Sequence, residues 1–331
     1  MPITITSPNP TTPVTLLRPD WQPLVATRAL LSTDDDIEKT HPDNLATSLP
    51  VTLSWQGGTP PYTVELTSPY HSATLTALLT CTASLTNLHT ATTYTCHITD
   101  AHQASATTTF TTLPGPRLIA LPEPDHAPVN IRDIGGYESL FGGRVRQGLL
   151  YRGSHTHAYF PASIANASFI TDTLGVKTQL DLRYPQSVIG QTHSNFGSHI
   201  RWIHAPINAY HSFTPEQNEI FRHALQTFAR PELYPIYFHC QGGSDRTGEI
   251  AFLLNGLLGV SDTDLFHDYE LSSLSLFPRP ITIPYFQEWL AKIASHAPAN
   301  APRYRQIEFY MTSIGITPSE IATIRKTMLV P

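Results

Sequence analysis

Only three cysteines occur in 331 residues, Cys81, Cys96 and Cys240. That count excludes a disulfide-stapled scaffold. No stretch approaches the ~20 apolar residues that a membrane-spanning helix needs. The N-terminus, Met1-Pro-Ile-Thr-Ile-Thr-Ser, has no basic start, apolar core or cleavage-like site, so no secretory signal is expected. Charge is also scarce, at 14% of residues, with a formal net charge of −6. Residues 1–115 hold three basic and eight acidic residues, and the remainder is nearly balanced. Neither part has the basic surface that nucleic acid or an anionic membrane selects. A cytoplasmic protein with no nucleic-acid partner and no stable membrane association is expected.

What is present falls into two textures. Up to about residue 115 the chain is rich in Thr, Ser and Pro. Short β-type runs recur at 51–55, 62–66, 73–79, 92–99 and 106–112, with turn signals between them such as Gly57-Gly58-Thr59-Pro60-Pro61. This spacing indicates an all-β sandwich. In Val51-Thr-Leu-Ser-Trp55 the alternation puts Val51, Leu53 and Trp55 on one face. The acidic run at 34–36 reads as a solvated turn, and Cys81 and Cys96 as small apolar core residues. Trp55 in an early strand, and Leu88 with Tyr94 at the spacing of a tyrosine corner, make residues 46–115 resemble a fibronectin type III or immunoglobulin-like sandwich. Such a domain implies protein docking or oligomerisation.

After the linker-like Thr112-Leu-Pro-Gly-Pro116 the pattern changes. Strand-like runs at 176–182, 200–207 and 233–238 interleave with helical patterns at 216–229, 248–258, 262–274, 284–294, 304–313 and 319–328. The expected class is α/β, a mostly parallel central sheet flanked by helices, over residues 116–331. Thr317, Pro318 and Glu320 predict a capped start for the last helix.

One segment carries chemistry: His239-Cys240-Gln241-Gly242-Gly243-Ser244-Asp245-Arg246-Thr247-Gly248. An apolar strand precedes it and an apolar helix follows. A strand–loop–helix unit of this kind converges backbone N–H groups at a helix N-terminus and makes an anion site. Gly242 and Gly243 allow backbone geometry that a Cβ would obstruct. Arg246 has the fork that grips two phosphoryl oxygens. In such surroundings a thiol falls from about 8.5 to roughly 3.5–7.5, so Cys240 is expected to be a nucleophilic thiolate beneath a bound phosphate.

The segment matches the Cys-x5-Arg signature of the protein tyrosine phosphatase superfamily. Asn130-Ile-Arg-Asp133-Ile-Gly-Gly-Tyr137, Leu150-Tyr-Arg-Gly-Ser154, Gly175-Val-Lys-Thr-Gln-Leu-Asp181-Leu-Arg183 and Asp268-Tyr269 also occur in the order found in the bacterial and fungal tyrosine phosphatase group. The resemblance covers about residues 120–331. It implies phosphoester hydrolysis through a phosphocysteine, without metal or cofactor, on a phosphoprotein or a small phosphate ester. Ser244 stands at the loop rim where typical members have Lys, and Gly242 where Ala is common. Loss of that cation weakens attraction for a second phosphate and leaves monophosphate hydrolysis intact. A phosphate-binding interaction protein is the alternative class, but such proteins usually lose the Cys or the Arg, and both are present.

The leaving oxygen needs a general acid. Between Arg183 and Ser244 the chain has no aspartate. The loop aspartate, Asp245, is the candidate, as the resemblance also implies, with His204 and His211 as rivals. Glu216 and Glu219 read as a solvated helix face. His239 is expected to orient the loop, and Thr247 to support the cysteine or phosphate release. Arg132, Asp133, Asp181 and Arg183 are expected to be structural, with Asp133 closest to a supporting role in the pocket.

Overall fold

The computed structural model describes residues 1–19, 47–123, 128–155, 163–275 and 279–331. The acidic run at 34–36 lies outside them. The described residues divide into two compact units, 1–19 with 47–120, and 121–331.

The first unit is a β-sandwich. Its strands are β1 (Thr4–Ser7), β2 (Val51–Gln56), β3 (Tyr62–Ser68), β4 (His71–Leu78), β5 (Thr82–Leu85), β6 (Thr93–Thr99) and β7 (Ser105–Thr111); the two-residue strand β8 (Arg117–Leu118), at the end of the unit, belongs to neither of its sheets. Two antiparallel sheets, ordered β1-β2-β5 and β4-β3-β6-β7, hold the core. The period-two pattern sets the inner faces: Val51, Leu53 and Trp55 of β2 are buried together with Val64 and Leu66 of β3 and Tyr94, Cys96 and Ile98 of β6. The Tyr94 hydroxyl accepts the backbone N–H of His89 at 2.8 Å. The three cysteines are free. Burial pushes the Cys96 thiol up to about 11, which suits a packed residue rather than a reactive one.

In the second unit the strands are β9 (Arg132–Asp133), β10 (Arg144–Val145), β11 (Leu150–Ser154), β12 (Thr178–Asp181), β13 (Arg201–His204), β14 (Ile236–Cys240) and β15 (Leu329–Val330). In the order β13-β12-β14-β11, neighbours are parallel, and β9 adds antiparallel to β11. β14, with every residue buried, lies between β12 and β11. Its run of aliphatic and aromatic residues is what a strand covered on both faces requires.

The helices are α1 (Ile164–Ser168), α2 (Pro215–Thr227), α3 (Asp245–Leu257), α4 (Asp262–Glu270), α5 (Pro284–Ser295), α6 (Arg303–Ser313) and α7 (Pro318–Met328). Helix α3 leaves β14 after a four-residue loop and is buried from Thr247 to Leu257. At Gly256 a Cβ would stand 2.2 Å from Ile307 Cδ1, so α3 and α6 approach closely there. The capping box at Thr317 and Glu320 is formed. Among the described residues no helix is long and apolar enough to cross a membrane.

Candidate active site

Parallel strands place ligands beyond their carboxyl ends. Here β14 ends in Cys240, which pairs with Ser154 of β11, while His239 pairs with Asp181 of β12. The chain then turns through 241–244 and starts α3 at Asp245. Only one of the two loop glycines has a positive φ, Gly243 at 73°. A Cβ there would lie 2.4 Å from the carbonyl of Gly153, so the close approach of two backbones requires glycine. Gly242 is not among the glycines with a positive φ, so its backbone conformation is open to other residues.

Every carbonyl from Cys240 to Ser244 is held by a donor outside the turn. His239 Nδ1 donates to the Cys240 carbonyl at 3.1 Å, and His155 N–H to that of Gln241 at 3.2 Å. Asn130 Nδ2 donates to Gly242 O at 3.3 Å and Arg152 Nη2 to Gly243 O at 2.8 Å. The Ser244 carbonyl accepts from Gly248 N at 2.8 Å and from Arg152 Nη2 at 3.4 Å. Among the described residues, none of the backbone N–H groups of 242–247 meets a protein acceptor. Ser244 is the N-cap of α3, yet its side chain does not cap the helix. Its hydroxyl and that of Thr247 are buried without a partner among the described residues. A half-buried, uncapped helix N-terminus with donors left over has the geometry to take an anion.

The donors are themselves fixed. Arg132 and Arg152, both buried, share Asp268: Arg132 Nε reaches Oδ1 at 2.9 Å and Arg152 Nη1 reaches Oδ2 at 2.6 Å. Burial alone would raise the Asp268 pKa, but the two guanidinium groups outweigh it and hold the carboxyl at about 2. Arg132 also donates to Asn130 Oδ1, and so orients the amide that holds Gly242. The His239 chain is equally determined. Gln179 Oε1 accepts from Ser194 Oγ and from the Asn195 N–H, so its amide nitrogen faces His239 Nε2 at 2.8 Å. Nε2 therefore accepts and Nδ1–H donates, which is the neutral imidazole. Burial pulls the His239 pKa down to about 4, in agreement.

Arg246 is partly exposed, with Nη1 3.4 Å from the Leu182 carbonyl and its guanidinium carbon 4.5 Å from the Tyr184 ring centroid. Beside it, Asp245 Oδ1 accepts from Tyr210 Oη at 3.0 Å, Tyr269 Oη at 3.4 Å and Arg279 Nε at 2.9 Å. Arg279 Nη2 is 3.3 Å from Oδ2. One turn along α3, Glu249 is fully buried and accepts the Tyr210 N–H at 2.9 Å.

A family model described as the tyrosine phosphatase family matches residues 126–330. The chain belongs to that family. Among its relatives, a Cupriavidus necator protein provisionally named a tyrosine-protein phosphatase is 30% identical over 165 residues, 42% of this chain. A tyrosine-protein phosphatase of Nostoc commune is 35% identical over 72 residues, 22% of this chain. The overlaps span 59% and 24% of those relatives' own lengths. Among solved structures, the core catalytic domain of the PP-IP phosphatase SIW14 from S. cerevisiae is 25% identical, with a TM-score of 0.32, over 42% of this chain and 78% of that one. TpbA of P. aeruginosa is 15% identical, with a TM-score of 0.34, over 51% and 88%. Superpositions this loose carry no argument about substrate.

Within this tyrosine phosphatase domain, the residues expected at the site do not all lie together. Cys240, Gln241, Gly242, Gly243, Ser244, Asp245, Arg246 and Thr247 form one turn at the head of α3, with His239 behind it. Ser244 is buried instead of standing at the rim, because it is where the loop enters the helix. Asp133 accepts the N–H groups of Gly135 and Gly148, and neither belongs to the loop. Asp181 and Arg183 form a buried ion pair at 2.6 Å. His204 donates to the Arg183 carbonyl, and His211 is exposed in a turn. Glu216 lies in the first turn of α2, and Glu219 pairs with Arg222 at 3.6 Å. Tyr210, Glu249 and Arg279 were not singled out from the sequence, and Tyr269 entered only as part of the Asp268-Tyr269 pair of the family resemblance. Glu249 alone left a signal, as the one charged residue in the otherwise apolar run Gly248-Glu-Ile-Ala-Phe-Leu-Leu254.

Removing the shared counter-charge should be severe. Asp268→Asn leaves two buried guanidinium groups uncompensated, and an ion pair broken in this way costs about 3–5 kcal/mol. Denaturant unfolding should show a loss of that order, together with weakened binding of inorganic phosphate. A variant with wild-type stability and phosphate affinity would mean that the triad does not hold the loop.

Proposed function

We propose that this protein hydrolyses phosphomonoesters through a phosphocysteine intermediate. The observation that carries the reading is the set of N–H groups at 242–247, without an acceptor among the described residues, on the turn that begins with Cys240. Three phosphoryl oxygens would take those donors and the Arg246 fork, leaving phosphorus in front of Cys240 Sγ. Sulfur attacks, the bond from phosphorus to the ester oxygen breaks, and Asp245 gives that oxygen its proton. Water then attacks phosphorus, the P–S bond breaks, and Asp245 takes the water's proton. The substrate is a phosphorylated molecule, a phosphoprotein in the leading reading. We read residues 1–115 and 116–331 as two domains joined at Thr112-Leu-Pro-Gly-Pro116, and place the protein in the cytoplasm on its free thiols.

The purified protein should release phosphate from an aryl phosphate in the presence of a chelator, and Cys240→Ser should abolish release. Turnover that survives this substitution, or that requires a divalent ion, would contradict the reading. If Asp245 is the acid, Asp245→Asn should slow substrates with poor leaving groups by about 10²–10⁴-fold, and those with good leaving groups far less. Equal slowing of both would leave Asp245 with a loop-shaping role only.

A further inference from the structure

The segment 205–213 runs on from the end of β13, and within it Tyr210 adopts a φ of 61°, a conformation uncommon for a tyrosine. Something must hold it there. Its N–H donates to Glu249 Oε1 at 2.9 Å, and its hydroxyl reaches Asp245 Oδ1 at 3.0 Å. One residue thus joins two carboxyls that stand one turn apart on α3, at positions i and i+4. Glu249 is fully buried, and its second oxygen, Oε2, has no hydrogen-bond partner among the described residues. A carboxylate left in that condition would forfeit several kcal/mol of hydration, so an acid there needs a reason.

We propose that Glu249 is a positioning residue for the phosphoester hydrolysis inferred above, fixing Tyr210 through its N–H so that the Tyr210 hydroxyl orients Asp245. The proposal rests on that reading of Asp245 as the acid. Glu249 does this as a neutral carboxylic acid. Burial is the main cause that lifts its pKa well above the usual range; Asp245 and Cys240 add to the rise, while the Tyr210 N–H and Arg246 oppose it. The phenols of Tyr210, Tyr269 and Tyr310 are the other titratable groups that sense it, and burial raises all three as well. A neutral acid at 249 offers Oε1 as an acceptor and keeps a second negative charge away from the bound phosphate. An ionised one would repel both the phosphate and Asp245.

Glutamine is the isostere of that neutral acid. Glu249→Gln should therefore keep kcat within about threefold of wild type for good and poor leaving groups alike, with an unmoved pH profile. Glu249→Ala should lower kcat about tenfold or more for poor leaving groups, with little change in KM or with good leaving groups. Its effect should largely vanish in a Tyr210→Phe background. Amide hydrogen exchange supplies a readout that needs no turnover: Tyr210 N–H should be protected in wild type and in Glu249→Gln, and exposed in Glu249→Ala. A Gln variant as impaired as the Ala variant would overturn the proposal in favour of a proton-carrying Glu249. Equal slowing of all substrates by Glu249→Ala, or unchanged Tyr210 protection, would overturn it in favour of a structural role. Should wild type fail to hydrolyse any phosphoester, the exchange pattern still decides whether Glu249 holds Tyr210.

Discussion

Everything at this site depends on where five carbonyl groups go. A loop that gathers N–H donors around an anion must send its C=O groups elsewhere, and a buried carbonyl without a donor is costly. Here the carbonyls of Cys240 to Ser244 are taken up by His239, His155, Asn130, Arg152 and the Gly248 N–H. The donors belong to different strands and segments, so the loop cannot keep its shape unless the sheet around it is in register. That is why β11 and β12 flank β14 in parallel, and why Cys240 sits level with Ser154.

The same requirement accounts for the buried charge. Two arginines and one aspartate in a core are a poor means of gaining stability, since desolvation offsets most of the Coulomb attraction. Their arrangement makes sense as geometry. Arg152 has to be at the Gly243 carbonyl, Arg132 has to hold Asn130, and Asp268 is what allows both guanidinium groups to be there. His239 plays a comparable part on the other side, fixed as a neutral donor by an amide that is itself fixed. In the proposed reaction this rigidity would act in advance, because dipoles already in place need no reorganisation when charge arrives.

Local patterns were legible in the sequence. The alternation in Val51–Gln56, the apolar run of β14, the capping box at Thr317 and the Cys-x5-Arg turn all express their physics within a few residues. The segments around Asn130, Leu150 and Asp268 stood out only through their resemblance to a family. Their common purpose appears once they meet: they are the two arginines, the asparagine and the aspartate of one network, drawn from positions 116 and 136 residues apart. No periodicity encodes a contact of that kind. Gly242 and Gly243 look alike in sequence, and only the folded turn shows that Gly243 takes the positive φ and lies against the Gly153 backbone. Tyr210 and Arg279 left no trace either, since each acts from an irregular segment whose path is set by what it touches.

In the proposed reaction the turn beginning at Cys240 both holds a phosphoryl group and receives it. Rapid mixing with a phosphate ester, acid quenching and peptide mapping by mass spectrometry would test it most directly. A phosphoryl adduct on the peptide containing Cys240, appearing before free phosphate reaches its steady rate and decaying with turnover, is the predicted result. Release of phosphate with no adduct under those conditions, or an adduct on another residue, would contradict the account.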